Sequence, residues 1–213
     1  MTQFRDAPTP ETPLQRFWHE PQKPRVVLIH GIYAREGSSH IRQLQPFFEA
    51  AGFEVVVFEY GFVSALQTYF RNPGIARRLA ALVRPDDHLV CHSNGAAIAW
   101  LAMMKHGMRC LKVSLIAPAL DADKVLTGAT WTDVYHNRCD HVVWVARLFI
   151  RHAWGSMGRD GCTNVDGLRL GMHNIDVANH AGLPKICGHL EYFEPYILPR
   201  LGPWLVRRHL ERV

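Results

Sequence analysis

Ser93 stands in the segment His-Leu-Val-Cys-His-Ser-Asn-Gly-Ala-Ala-Ile-Ala-Trp, residues 88–100, where an apolar strand meets a small-residue helix start with the serine at the apex of the turn. A hydroxyl so placed attacks carbonyl carbon, provided that a base takes its proton and donors hold the oxyanion that forms. The turn serves both needs. It lifts Oγ clear of the sheet and aims the amide of Asn94, at a helix N-terminus, toward the developing charge. Such tight geometry calls for small neighbours in the pattern Gly-x-Ser-x-Gly; here Gly95 fills the second glycine position and Cys91 replaces the first. The bland alternative for Ser93 is a helix N-cap.

Upstream, Val26-Val27-Leu28-Ile29-His30-Gly31-Ile32 is an unbroken apolar run that ends in His-Gly, as a strand buried on both faces would. The loop after such an early strand is where a second oxyanion donor belongs, and the Ile32 N–H is the candidate. His30 is expected to shape this loop and border the pocket, not to act as a base.

The order of a His-Gly strand end, the turn Cys91-His92-Ser93-Asn94-Gly95, an acid after a later strand and a histidine near the C-terminus resembles the α/β-hydrolase superfamily over residues 25–213. The resemblance implies a small, capless serine hydrolase acting on carboxylic esters, with its triad in the order serine, acid, histidine. Residues 132–136 read as a short strand followed by the turn Asn137-Arg138-Cys139-Asp140, which sets Asp140 at a strand's C-terminal edge, where the active groups of parallel sheets gather. The resemblance supports Asp140, since an Asn-x-x-Asp turn followed by an apolar segment is common there. Asp121 and Asp123, after the strand at 112–117, are its rivals. Glu191 ranks lower because it lies too near the C-terminal histidine.

For the base, His180 and His189 both follow the last expected strand, 172–177, where a ring can meet the hydroxyl with one nitrogen and a carboxylate with the other. The resemblance favours His189, because Gly188-His189-Leu190-Glu191-Tyr192-Phe193 is similar to the end of small esterase-like members; His180 would then line the pocket. Two other readings stay open: a non-catalytic binding protein on this fold, with Cys91 marking a relaxed turn, and a thioesterase or acyltransferase using the same three groups.

The chain carries thirteen histidines, so a histidine at any one place proves little. His136, Cys139, Asp140 and His141 suggest a metal cluster at first sight. Their spacing matches no strong zinc pattern, and neither metal nor cofactor is expected.

The elements that must position these groups alternate. Strands at 26–30, 54–60, 88–91, 111–117, 132–136 and 172–177 are separated by helical stretches, which predicts an α/β three-layer sandwich: a mostly parallel central sheet of about six strands flanked by helices, a trimmed α/β-hydrolase fold. A helix is expected over 40–51 with Ile41, Leu44, Phe47 and Phe48 on one face. Residues 65–84 contain Pro73-Gly74 and predict two helical pieces. A terminal helix is expected after Gly202, with Pro203 at its first position and Trp204, Leu205 and Leu210 turned inward. Residues 147–171 mix bulky apolar side chains with glycines and read as a helix on the sheet and a return loop; as a flap over the pocket, they would contribute Trp154 and Met157.

At 213 residues and 48% hydrophobic content the chain suits one α/β-hydrolase domain, residues 25–213, preceded by a proline-rich, loosely structured lead-in at 1–24 that lacks a signal peptide's apolar core. No stretch approaches a membrane span, so no integral membrane contact is expected. Five cysteines without obvious pairing imply free thiols and a reducing, cytoplasmic location. The net charge of +5 comes without a recognition motif, so the expected partner is a small-molecule ester and not nucleic acid. Oligomeric state is not readable from the sequence.

Overall fold

The apolar runs of the sequence become the strands of one sheet. The computed structural model describes residues 23–34, 37–142 and 155–211. Its strands are β1 (Arg25–Ile29), β2 (Glu54–Phe58), β3 (His88–His92), β4 (Cys110–Ile116), β5 (Ala129–His136) and β6 (Met172–Asp176). All six are parallel, in the order β2-β1-β3-β4-β5-β6. Every residue of β1 and β3 is buried, as follows for parallel strands covered on both faces.

The helices divide between the two faces. On one face α1 (Gln45–Ala50), which continues a 3-10 turn at His40–Leu44, packs with the C-terminal helix over Val26, Leu28, Val90, Ile116 and Tyr135. On the other, α2 (Thr68–Leu82) and α3 (Asn94–His106) cover Val27, Ile29, Leu89, Cys91 and Leu115. Val26 and Leu28 face one core while Val27 and Ile29 face the other, which is the period-two alternation of a strand. Two short helices, α4 (Met157–Asp160) and α5 (Val165–Arg169), lead back into β6, and α6 (Leu198–Leu210) closes the fold.

This strand order fixes where a ligand can enter. From β1 the chain moves outward to β2, and from β3 it moves the other way to β4. The covering segments therefore diverge between β1 and β3, and a crevice opens at the carboxyl ends of those neighbours. Ile29 pairs with Cys91, so Gly31 and Ser93 emerge side by side at that switch point.

The expectations for two helices need correction. Residues 68–82 form one helix, not two pieces, although Pro73 lies inside it. Pro73 forfeits one backbone bond near the helix start, and the burial of Ile75, Ala76 and Leu79 carries the helix through. The terminal helix begins at Leu198, with Pro199 in its first turn and Pro203 internal. Its buried face is Leu198, Leu201, Leu205, Val206 and His209, whereas Leu210 is exposed. Most of the expected lead-in, residues 1–22, lies outside the described residues, as does Trp154.

Candidate active site

Between β3 and α3 the backbone at Ser93 adopts φ 52° and ψ −120°, a left-handed conformation costing about 1–3 kcal/mol in a residue with a Cβ. Neighbouring backbone holds it there. Ser93 N–H donates to the Ile116 carbonyl, and the Ser93 carbonyl accepts from the amides of Ala96 and Ala119, each at 3.0 Å.

Close packing of the strand ends explains which glycines matter. A Cβ on Gly95 would lie 2.7 Å from the Ile29 carbonyl oxygen and 3.0 Å from that of His30, and one on Gly31 would lie 3.0 Å from Ser93 Cβ. Cys91, in contrast, is fully buried in the core beneath α3. The tight crossing falls at residues 31 and 95, so the first glycine of the pattern is dispensable here.

Three side chains distant in sequence meet at this turn. His189 Nε2 lies 2.9 Å from Ser93 Oγ, and His189 Nδ1 lies 2.8 Å from Asp140 Oδ2. A carboxylate can only accept, so Nδ1 carries the proton and Nε2 is left to accept the serine hydroxyl's. Asp140 is wholly buried, and its turn is closed by an Asp140 N–H bond to the Asn137 carbonyl at 3.0 Å. Ser93 itself is 4% exposed. It opens into a cleft of about 270 Å³ bordered by Gly31, Ile32, His40, His92, His189 and Leu190 among others.

The walls of the cleft are held by His30, which the sequence reading set in this loop, and by groups that it did not single out. His30, which also borders the cleft, donates from Nδ1 to the Gly31 carbonyl at 2.7 Å and accepts the Tyr60 N–H at Nε2, 3.5 Å away. Burial holds its pKa below the usual value, consistent with a loop-shaping neutral ring. The Tyr60 hydroxyl points at the His30 and Gly31 carbonyls, 2.8 and 2.7 Å away, and its ring stacks on His30. Tyr60 lies two residues beyond the Glu54–Phe58 strand, and its place at a parallel strand's end is the one signal that marked it.

Asn94 forms a reciprocal amide pair with Asn72 of α2, at 2.8 and 3.1 Å, buried on both sides. Nothing in the sequence around Asn72 announces this. His92 packs against His189 and Phe193 and contacts the His189 carbonyl at 3.4 Å. Burial, then the proximity of His189, pushes its pKa well down. It therefore stays neutral beside the ring that is placed to take a proton.

The other sequence candidates lie elsewhere. Asp121 borders a separate hollow with Leu120 and Lys124, and Asp123 is an exposed partner of Lys124. Glu191 accepts the Cys187 N–H and the Tyr196 hydroxyl. His180 stacks edgewise on Trp204 and accepts the Gly182 N–H; it does not border the cleft at Ser93. Met157 is also corrected: it is fully buried in the core shared with Leu115, Leu120 and Val134, and its backbone N–H donates to the Leu120 carbonyl. His136 contacts the Arg159 carbonyl, and His141 is exposed. Among the described residues no group of three or more such side chains is arranged to hold a metal, and no helix is long and apolar enough to cross a membrane.

No family model matches this chain, and no curated protein matches it. Solved structures do. Mouse alpha/beta hydrolase domain-containing protein 10 aligns over 87% of this chain and 89% of its own with 11% identity and a TM-score of 0.58. Dienelactone hydrolase from Anabaena variabilis aligns over 89% and 88% with 16% identity and a TM-score of 0.53. Against an extracellular alpha/beta-hydrolase from a Paenibacillus species the match is partial, spanning 47% of this chain and 43% of that one, with 19% identity and a TM-score of 0.39. The full-length likenesses show that the chain has the α/β-hydrolase fold.

Proposed function

From this fold and the three-residue relay at its switch point, we propose that the chain is a serine hydrolase that cleaves small carboxylic esters through an acyl-enzyme on Ser93. The observation that carries the reading is His189 bridging Ser93 Oγ and Asp140 Oδ2 at 2.9 and 2.8 Å. Ser93 Oγ attacks the ester carbonyl as His189 Nε2 takes its proton, and Asp140 stabilises the imidazolium that results. The amides of Ile32, bordering the cleft, and Asn94, first residue of α3, are assigned to the oxyanion. His189 then returns the proton to the departing alkoxide, leaving Ser93 acylated. Water, deprotonated by the same ring, attacks the acyl carbon and frees the acid.

The cleft supports a small acyl group. Its described walls combine the apolar Ile32, Ile41 and Leu190 with the imidazoles of His30, His40 and His92, and among the described residues no lysine or arginine borders it. A fluorophosphonate probe and a series of p-nitrophenyl esters of graded acyl length test the proposal. Wild-type protein labels covalently and turns over short esters, while Ser93→Ala does neither at equal folded content. Absence of labelling together with ester cleavage no faster than buffer would overturn it.

A further inference from the structure

Gly31 is small because Ser93 is close, and that smallness leaves its backbone unrestrained. A Cβ there would lie 3.0 Å from Ser93 Cβ, 3.2 Å from His92 Nδ1 and 3.5 Å from Ser93 Oγ, so the Gly31 α-carbon faces the nucleophile across a gap that a side chain would close. Without a side chain, rotation about Gly31 costs little, and sterics alone do not hold the peptide unit that joins it to Ile32. That unit is planar and trans, since no described peptide bond is cis, and its C=O and N–H therefore point in opposite directions. Whatever fixes the Gly31 carbonyl fixes the Ile32 N–H.

Two buried groups fix that carbonyl. The Tyr60 hydroxyl lies 2.7 Å from the Gly31 oxygen and 2.8 Å from the His30 oxygen. Carbonyls only accept, so the hydroxyl donates, sharing its one hydrogen between the pair. Burial raises the Tyr60 pKa and keeps that hydrogen in place. His30 Nδ1 reaches the same Gly31 oxygen at 2.7 Å, and the two rings stack with centroids 3.8 Å apart. Both residues are buried, so the carbonyl is drawn inward. The Ile32 N–H, on the opposite edge of the same plane, is turned the other way, and Ile32 borders the cleft at Ser93. Among the described residues no group accepts from the Ile32 N–H.

We propose that Tyr60 is the positioning residue of the oxyanion site: its hydroxyl, with His30, holds the Gly31 carbonyl in the core and thereby presents the Ile32 N–H to the cleft. The inference rests on the Ser93 reading and adds to it the group that presets one of the two donors. Without the hydroxyl the Gly31–Ile32 unit can swing. In the reversed setting the Gly31 oxygen, not the Ile32 hydrogen, meets the developing negative charge and opposes attack. A donor lost outright lowers kcat about a hundred- to a thousandfold, and a donor loosened while His30 still binds the carbonyl costs less, about ten- to a hundredfold.

Tyr60→Phe removes one oxygen and keeps the ring on His30. The test measures p-nitrophenyl acetate kinetics and inhibition by an aryl trifluoromethyl ketone, both at equal folded content. Ser93 Oγ bonds the ketone carbon, its proton passes to His189 and the carbonyl π pair becomes an oxyanion, so ketone affinity reads the donors directly. The variant is expected to lose about ten- to a hundredfold in kcat and a similar factor in ketone affinity, with KM within about twofold. The pH dependence of kcat/KM stays unmoved, because Ser93, His189 and Asp140 keep their contacts. A kcat within about twofold of wild type would overturn the proposal, as would a loss carried by KM or one that spares ketone affinity, either of which marks Tyr60 as packing alone. A second measurement needs no variant: in nitrogen-15-labelled wild type the Ile32 amide proton moves downfield when the ketone binds, and an unmoved Ile32 resonance overturns the proposal whatever the variant does. Wild-type protein that neither turns over the ester nor takes the fluorophosphonate removes the Ser93 reading and Tyr60's role with it, whereas equal activity in wild type and Tyr60→Phe removes the role of Tyr60 alone.

Discussion

Asp140→Asn separates the electrostatics of the relay from its packing. The side chain keeps its shape, but the imidazolium formed on His189 during attack loses its counter-charge. With Nδ1 and Oδ2 2.8 Å apart the charge centres stand about 4 Å apart, and at an effective dielectric of about 20 their attraction is about 4 kcal/mol. Removing it lowers kcat/KM about a thousandfold. Stability should move the other way or not at all. Asp140 is fully buried and its Oδ1 has no hydrogen-bond partner, so the wild-type carboxylate bears a desolvation cost that the neutral amide avoids. The measurements are ester turnover and the rate of fluorophosphonate labelling, both normalised to folded protein, beside urea unfolding of the same preparations. A variant that keeps more than about a tenth of wild-type kcat/KM would refute the assignment of Asp140 to the relay. So would a variant whose loss of turnover merely tracks loss of fold.

Gly95→Ala drives a methyl group to 2.7 Å from the Ile29 carbonyl oxygen and is expected to cost about 1–3 kcal/mol by denaturation, whereas Cys91→Ala, away from that crossing, should keep ester turnover; equal effects of the two would contradict the packing argument. Asn72→Ala leaves the Asn94 amide buried without its partner, for about 1–3 kcal/mol of stability and a fall in kcat larger than any change in KM; an unchanged kcat would show that the pair does not position the α3 N-terminus. Five buried histidines, at 30, 88, 92, 136 and 209, have folded pKa values depressed first of all by desolvation. The unfolded chain therefore binds more protons, and stability is complete above about pH 6.5 and falls as the pH drops below it. His88, lowered to about 4, accounts on its own for about 3 kcal/mol of that loss; unfolding midpoints that stay level between pH 7 and pH 4.5 would refute it.

What could be read in advance was local or periodic. The apolar run that ends in His30-Gly31 announced a strand buried on both faces, the apolar segment before Ser93 announced another strand, and the small residues after Ser93 announced a helix start. The turn at Asp140 was legible because it sits where a parallel strand must end. Contacts between side chains on separate elements were not. The Asn72–Asn94 pair depends on how α2 lies across α3, and Pro73 misled because packing along Ile75, Ala76 and Leu79 outweighs one missing backbone bond. His180 and Met157 have the right chemistry for a pocket. Their placement was decided by Trp204 and by the Leu120 backbone, neither of which a local reading connects to them.

The placement of His189 is a long-range matter too, and the fold settles it at both ends of the loop. At the start, the Val177 N–H donates to the His136 carbonyl at 3.0 Å, extending the β5–β6 ladder past β6. At the finish, α6 is fastened far from the cleft, near the amino ends of the strands. His209 contacts His88 at 2.9 Å and Ser114 at 3.0 Å, the Lys112 ammonium donates to the Arg208 carbonyl, and Arg208 grips Asp133 with two bonds. Between these anchors Tyr192 and Phe193 are buried, and Asn137, three residues before the acid, donates to the Tyr192 hydroxyl at 3.2 Å. Asp140 and His189 therefore stand on a shared hydrogen-bonded support. A relay needs its geometry within a fraction of an ångström. The polar network at the opposite edge of the sheet is thus part of what aims the imidazole at Ser93.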